Sequence, residues 1–329
     1  MLKDEEIDKI LADIRKEQEK DEKAKEEKTE EVTTEKPKVD RAAYFRAGME
    51  QARRRRKRNM ILNILLVVFV VIFLVSGFFL LKYFMDSRQN KKLVHSLKEM
   101  IEEDGTGSDA GDGTMNPGTS SGAAVPEYVT VGDKKIQRKF RNLYEKNPDF
   151  VGWLTIEGTN VDLPVMYTPD NEQKYLRKNF DGDYALAGTP FIAAESDPEK
   201  PTTNIIIYGH NMKDGSMFSD ILKYKDEEFY QSHKTIQFDT IYKNATYEVI
   251  AAFPGQVLSV GEEGFRYYAF FEAHSADEFD SFVKEVKDRC SYDIPASASY
   301  GDELITLSTC EDSGANEGKR YVVVARRMK

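Results

Sequence analysis

The sequence predicts a mainly β domain, either a closed barrel or a sandwich, carried behind a single membrane-spanning helix. Short runs rich in β-branched and aromatic residues recur between residues 152 and 326, separated by Gly, Pro, Asn and Asp. One amphipathic helical pattern interrupts them late, after Ser275. Far upstream, Met60 to Leu81 carries no charged residue, and about 20 apolar residues suffice for a helix to cross a bilayer.

The chain has 329 residues and a net charge of −10, which allows one full domain plus appendages. That charge is unevenly placed. Residues 1–58 read as a charged cytoplasmic tail. Ile7, Ile10, Leu11 and Ile14 have helical spacing, but apolar residues almost vanish from Gln18 to Asp40. Such a stretch cannot bury enough surface to offset its chain entropy, so the tail is expected to be largely disordered or a solvated helix.

Arg53 to Arg58 are all basic. A basic run can bind nucleic acid, but this one abuts the apolar span, residues 59–83, and reads as a topology signal instead. No nucleic-acid partner is expected; the lipid bilayer is. Lys82, Arg88, Lys91 and Lys92 on the other side are fewer per length and mixed with Asp86. The span is too long and too far from Met1 for a cleaved signal peptide. The expected anchor is therefore single-pass, with the N-terminus in the cytoplasm and the C-terminal domain outside.

Residues 84–125 combine a juxtamembrane helix, marked by Leu93, Leu97, Met100 and Ile101, with a Gly/Ser-rich flexible linker from Asp104 to Ala124. The folded domain, residues 126–329, is expected to start near Pro126. A helix is predicted over Asp133 to Asn147, with Ile136, Phe140, Leu143 and Tyr144 on one face and Asn147-Pro148 as its stop. Strands are predicted over 152–156, 161–166, 189–193, 204–208, 235–240, 247–253, 303–309 and 320–326. In the late helix Ser275 and Glu278 form a capping box. Phe279, Phe282, Val283, Val286 and Cys290 follow on one face, so Cys290 reads as a small buried apolar residue.

The chemistry centres on Leu304 to Cys310. Ile305, Leu307 and Thr309 alternate with Thr306, Ser308 and Cys310, so the two sets point to opposite faces. A polar loop from Glu311 to Lys319 leads to a second strand that opens with Arg320. If the two strands pair antiparallel, a thiol and a guanidinium sit side by side at one end of a sheet, an arrangement suited to nucleophilic attack on an acyl group. Of the four histidines, His95, His233 and His274 read as surface or satisfied residues. His210 differs, because it follows the apolar run Ile205 to Gly209 and is again a reactive group at a strand end. No second His or Cys stands at ligand spacing from it, so neither a metal nor another cofactor is expected. A disulfide between Cys290 and Cys310 would consume the nucleophile and is not expected either.

Tyr208-Gly209-His210-Asn211-Met212, Thr306-Leu307-Ser308-Thr309-Cys310 and Arg320 ahead of Val322-Val323-Val324 resemble, in this order, the three signature segments of the sortases. Asn147 to Leu154 is similar to that family's opening strand. Lys213 to Phe218 after the histidine, the Thr-Leu-Ser-Thr-Cys segment and both domain helices resemble class B. The resemblance covers roughly residues 130 to 329.

It implies an eight-stranded sortase barrel and a membrane-anchored cysteine transpeptidase. By that resemblance Cys310 attacks the Thr carbonyl of a sorting signal similar to Asn-Pro-X-Thr-Asn or -Gly on a surface protein. His210 moves the proton, Arg320 holds the carbonyl, and an amine from peptidoglycan or a pilin lysine resolves the thioester. Ser308 and Glu311 match positions that resemble substrate contacts, and Asp312 is a candidate orienting acid. Two other readings stand beside this one: a cysteine protease that hydrolyses the same thioester, and an anchored surface-binding protein without catalysis.

Overall fold

The computed structural model describes residues 16, 19–20, 41–106, 127–259, 261–310 and 318–329, with the main chain alone at 41, 102–106 and 310. The expectations for most of the N-terminal tail, for the body of the linker and for Glu311 and Asp312 therefore lie outside the described residues. Helix α1 spans Arg41–Thr106. The chain divides into two compact units, Met1–Ser76 and Gly77–Lys329.

In the first unit the apolar side chains from Met60 to Val75 stand exposed. The most apolar window of the helix has a mean hydropathy of 3.3 with none of it buried. It is long and apolar enough to cross a membrane. Fully burying one such side chain is worth ~1.5–3 kcal/mol, so a run of them left exposed favours apolar surroundings.

The second unit opens with the end of α1 and a hairpin of β1 (Tyr128–Val131) and β2 (Lys134–Gln137). A 3-10 turn at Arg138–Phe140 and the short α2 (Arg141–Lys146) follow. The helix predicted from Asp133 is thus mostly something else. Its apolar stripe is buried, with Ile136, Phe140 and Leu143 each at most 1% exposed. The first part of it pairs as a strand because Gly132, at φ +62°, turns the chain back onto Tyr128–Val131.

Eight strands then close a barrel: β3 (Phe150–Thr155), β4 (Asp162–Met166), β5 (Phe191–Ile192), β6 (Asn204–Gly209), β7 (Thr235–Thr240), β8 (Thr246–Gln256), β9 (Leu304–Cys310) and β10 (Lys319–Arg327). Their order around the barrel is β10, β8, β7, β3, β4, β5, β6, β9. The pairs β4–β5 and β6–β9 are parallel, and the others are antiparallel. A short helix α3 (Glu227–Ser232) precedes β7, and α4 (Ala276–Asp288) is the expected late helix.

Strand alternation sorts the core into an interior and two outer layers. From β9 and β10, Ile305, Leu307, Tyr321, Val323 and Ala325 fill the barrel, while Leu304, Val322 and Val324 pack outward against α4. A bulge opposite Val324 and Ala325 puts the consecutive residues Ile250 and Ala251 on the same outer side. The third layer lies at the opposite side of the barrel. There Leu97 from α1 is fully buried with Ile136, Phe140, Leu143 and Phe150, and Leu93, Val94, Met100 and Ile101 pack around it.

The α4 cap forms as the sequence predicts. The Ser275 hydroxyl accepts from the Glu278 N–H at 3.2 Å, and the Glu278 carboxylate reaches back to the His274 N–H at 2.8 Å. Cys290 lies just past the helix end, packed among both neighbouring apolar layers. Its Sγ accepts from Ala252 N–H at 3.3 Å, and burial pushes the thiol pKa up. A thiol so placed stays protonated and unreactive.

Candidate active site

Three strand ends meet at one mouth of the barrel. In the parallel β6–β9 pair, Gly209 stands beside Thr309. In the antiparallel β9–β10 pair, Arg320 stands directly opposite Cys310. The residue after Gly209 is His210, so the three candidate catalytic positions fall at adjacent ends of three neighbouring strands. For Cys310 the described part is its main chain in the ladder.

A cavity of about 330 Å³ opens there. His210, Arg320, Ser308 and Thr309 line it together with Tyr208, Leu176 and Glu172. Its walls are largely apolar with a few polar groups among them, the usual make-up of a ligand site.

His210 is held through one ring nitrogen. Its Nε2 lies 2.8 Å from the Leu176 carbonyl oxygen. A carbonyl only accepts, so Nε2 carries the proton and Nδ1 carries the free lone pair. Burial is the largest cause of a pKa below the ordinary imidazole value of 6.5; Arg177 and Arg320 lower it further, against the Leu176 contact. The ring is therefore neutral at pH 7 and able to accept a proton at Nδ1.

Two glycines allow this placement. Gly188, at φ +60°, passes so close to the segment below that an added Cβ would meet the Leu176 oxygen at 2.5 Å and the Tyr175 oxygen at 2.7 Å. Gly209 lies against the Phe218 ring, where a Cβ would stand 2.5 Å from the nearest ring carbon.

Arg320 is half-buried, and its Nη1 donates to the Lys319 carbonyl at 3.0 Å. Across β10 it faces Gly255 of β8, and a Cβ there would press on Tyr267. The Tyr267 hydroxyl and Ser308 Oγ are 2.9 Å apart. Ser308 is 2% exposed, so its hydroxyl lines the cavity floor already engaged. Tyr208 stacks at a tilt on Phe191, with ring centroids 5.6 Å apart, and burial keeps its phenol protonated. Glu172 also lines the cavity, where burial and then the neighbouring Glu195 carboxylate push its carboxyl up.

Sequence reasoning brought together His210, Cys310, Arg320 and Ser308. It missed the Leu176 carbonyl, which is a main-chain group without a residue-type signal, and Tyr267, which reaches Ser308 from a segment 41 residues away. It also missed Glu172, whose 3-10 segment Pro169–Tyr175 has no periodic pattern. Among the described residues no group of His, Cys, Asp and Glu is arranged to hold a metal ion.

Comparison with known proteins gives consistent answers. Residues 154–328 match the model of the sortase domain. Over 189 residues the chain is 34% identical to sortase B of Listeria monocytogenes, covering 57% of this chain and 74% of that protein. A sortase B structure from B. anthracis, in complex with AAEK1, superposes with a TM-score of 0.58 at 27% identity, covering 75% of this chain and 99% of that one. A sortase B structure complexed with triglycine gives 0.53 at 28% identity, covering 58% of this chain and 86% of that one.

Proposed function

Because the chain belongs to the sortase family, in its class B, we propose that Cys310, His210 and Arg320 carry out transpeptidation through an acyl-thioester. The observation that supports this most directly is the register: Arg320 opposite Cys310, with His210 at the neighbouring strand end and on the same cavity.

In this reading Nδ1 of His210 takes the Cys310 thiol proton as the sulfur attacks the Thr carbonyl of a sorting signal similar to Asn-Pro-X-Thr-Asn or -Gly. The C–S bond forms, and the carbonyl electron pair moves onto oxygen. Arg320 stabilises that oxyanion; one well-aimed donor can be worth roughly 3 kcal/mol. Collapse breaks the peptide bond between Thr and the following Asn or Gly, and the imidazolium gives its proton to the leaving amine. The Leu176 carbonyl, already bonded to Nε2–H, steadies the imidazolium in between.

An incoming amine then attacks the thioester, loses its proton to His210 and releases Cys310. Peptidoglycan or a pilin lysine supplies that amine, and the related sortase B complexed with triglycine supports a peptide amine as acceptor. Ser308 and Glu311 are carried as substrate contacts, Ser308 through the cavity floor. The basic run Arg53 to Arg58 beside the apolar helix supports an anchor with its N-terminus in the cytoplasm and residues 126–329 as an extracellular catalytic domain.

The test is mass spectrometry of the acyl-enzyme formed on a panel of sorting peptides, followed by product analysis with and without added amine. Transpeptidation gives an acyl-enzyme on Cys310 and an amine-dependent product. Hydrolysis alone, unchanged by amine, would make the protein a cysteine protease. No acyl-enzyme on any peptide would leave a binding protein.

A further inference from the structure

We propose that Asp214 is a positioning residue for His210, fastening the loop that carries the histidine to helix α1; the inference rests on the transpeptidase reading of that site. The loop leaves His210 and returns within a few residues. Asn211 and Met217 form a bridge across it, and the Phe218 N–H donates to the His210 carbonyl at 2.9 Å. Met217 is buried yet sits at φ +56°, a backbone region that disfavours side chains. Among the described residues it is the one non-glycine found there. A loop in that state persists only if its surroundings hold it.

Ser219 Oγ accepts from the Met212 N–H at 2.9 Å and braces the loop from within, and Asp214 ties it to α1. Its Oδ1 accepts from the Ser216 N–H at 3.1 Å and the Ser216 hydroxyl at 2.6 Å, which shapes the turn. Its Oδ2 accepts from the Ser87 hydroxyl of α1 and lies 3.7 Å from the Lys91 ammonium. The Asp214 side chain is 16% exposed and that of Lys91 is 58% exposed, so the Ser87 contact is the firmer link and Lys91 adds a screened attraction.

The same helix also meets the second loop that fixes His210. Ser87 and Asp214 share a crevice of about 20 Å³ with Ala185, Leu186 and Ala187. That segment belongs to the loop between Leu176 and Gly188, where Leu186 accepts from Arg177 at 2.5 Å. Helix α1 therefore abuts both the loop that carries the imidazole and the loop whose Leu176 carbonyl receives its Nε2–H. Loosening the Ser87–Asp214 contact should shift the imidazole against the Leu176 carbonyl and cost the chemical step, while the cavity walls on the barrel strands, Phe191, Tyr208 and Ser308, stay in place to bind the peptide.

The experiment uses the full chain in detergent micelles, with Ser87→Ala, Ser87→Thr, Asp214→Asn and the double variant Ser87→Ala/Asp214→Asn. Ser87→Ala and Asp214→Asn should each lower the acylation kcat about fivefold at unchanged KM, with the double variant no worse than the more damaging single one and Ser87→Thr near wild type. A kcat within twofold of wild type overturns the proposal. So do additive losses, or a loss accompanied by a raised KM and a lowered melting temperature. The imidazole resonances of His210 in 13C-labelled protein read the same link whatever the reaction. They should move in Ser87→Ala and return in Ser87→Thr; unmoved resonances overturn the positioning, while wild type inactive on every peptide would remove only the reaction.

Discussion

A histidine that spends Nε2–H on the Leu176 carbonyl has one lone pair left, and its chemistry follows from that. Because the His210 pKa lies below 6.5, the neutral base persists on acidification until the pH passes that lowered value. The acid limb of kcat/KM should therefore have its midpoint below the ordinary imidazole value, measured against pH with a fixed peptide. A midpoint above 6.5 would mean that the buried, neutral ring is not the base. Gly188→Ala should displace the same carbonyl, since Cβ would lie 2.5 Å from it, and cost about 1–2 kcal/mol in stability for the left-handed backbone and about tenfold in acylation. Cys310→Ala should abolish acyl-enzyme formation while Cys290→Ala keeps most of it; equal loss with folding intact would reverse their roles. Arg320→Lys should slow acylation by roughly a hundredfold, because lysine keeps the charge but not the planar fork. Near-normal turnover would reduce Arg320 to a surface cation. The residue types here were legible from strand ends and order. The Leu176 carbonyl and Gly188 were not, because a main-chain acceptor and a close approach depend on tertiary contact.

At the scale of elements, period-two patterns were the dependable signal. The strand runs lie where they were read, since each buries one face inside the barrel and several bury the other under α4 or the N-terminal layer. Thr189 to Ala193 contributes only Phe191–Ile192, where it pairs with Met166 on one side and with Tyr208 and Ile207 on the other. The stretch from Asp133 misled because Ile136, Phe140 and Leu143 satisfy a helical stripe, yet a hairpin, a 3-10 turn and a short helix bury the same side chains. Spacing fixed which residues go inside, and Gly132 decided the backbone. The late helix was readable to its cap. Ser275→Ala should cost about 1 kcal/mol, seen as a fall in melting temperature of roughly 2–4 °C. No measurable fall would mean that the Glu278 carboxylate alone satisfies that helix end.

Across the whole molecule, the least legible feature was the partnership between α1 and the barrel. Leu93, Leu97, Met100 and Ile101 show a helical apolar face, but their partners lie beyond a linker that carries no pattern. Ser87 and Asp214 are 127 positions apart, so no local signal joins them. The compact unit begins at Gly77, well before Pro126, where composition places the start of the catalytic domain. A fragment of residues 82–329 retains this packing without the apolar span, and one of residues 127–329 loses it. Leu97 is fully buried, and burying one such side chain is worth ~1.5–3 kcal/mol. With its half-buried neighbours, the loss amounts to several kcal/mol out of a total of about 5–15 for a typical domain. At ~2–4 °C per kcal/mol, the shorter fragment should melt about 10 °C lower. It should also bind an apolar dye, because Ile136, Phe140 and Leu143 lose their cover. The longer fragment should remain soluble and keep the acylation rate of the full chain in micelles. Equal melting of the two fragments would show that the helix rests on the barrel without stabilising it.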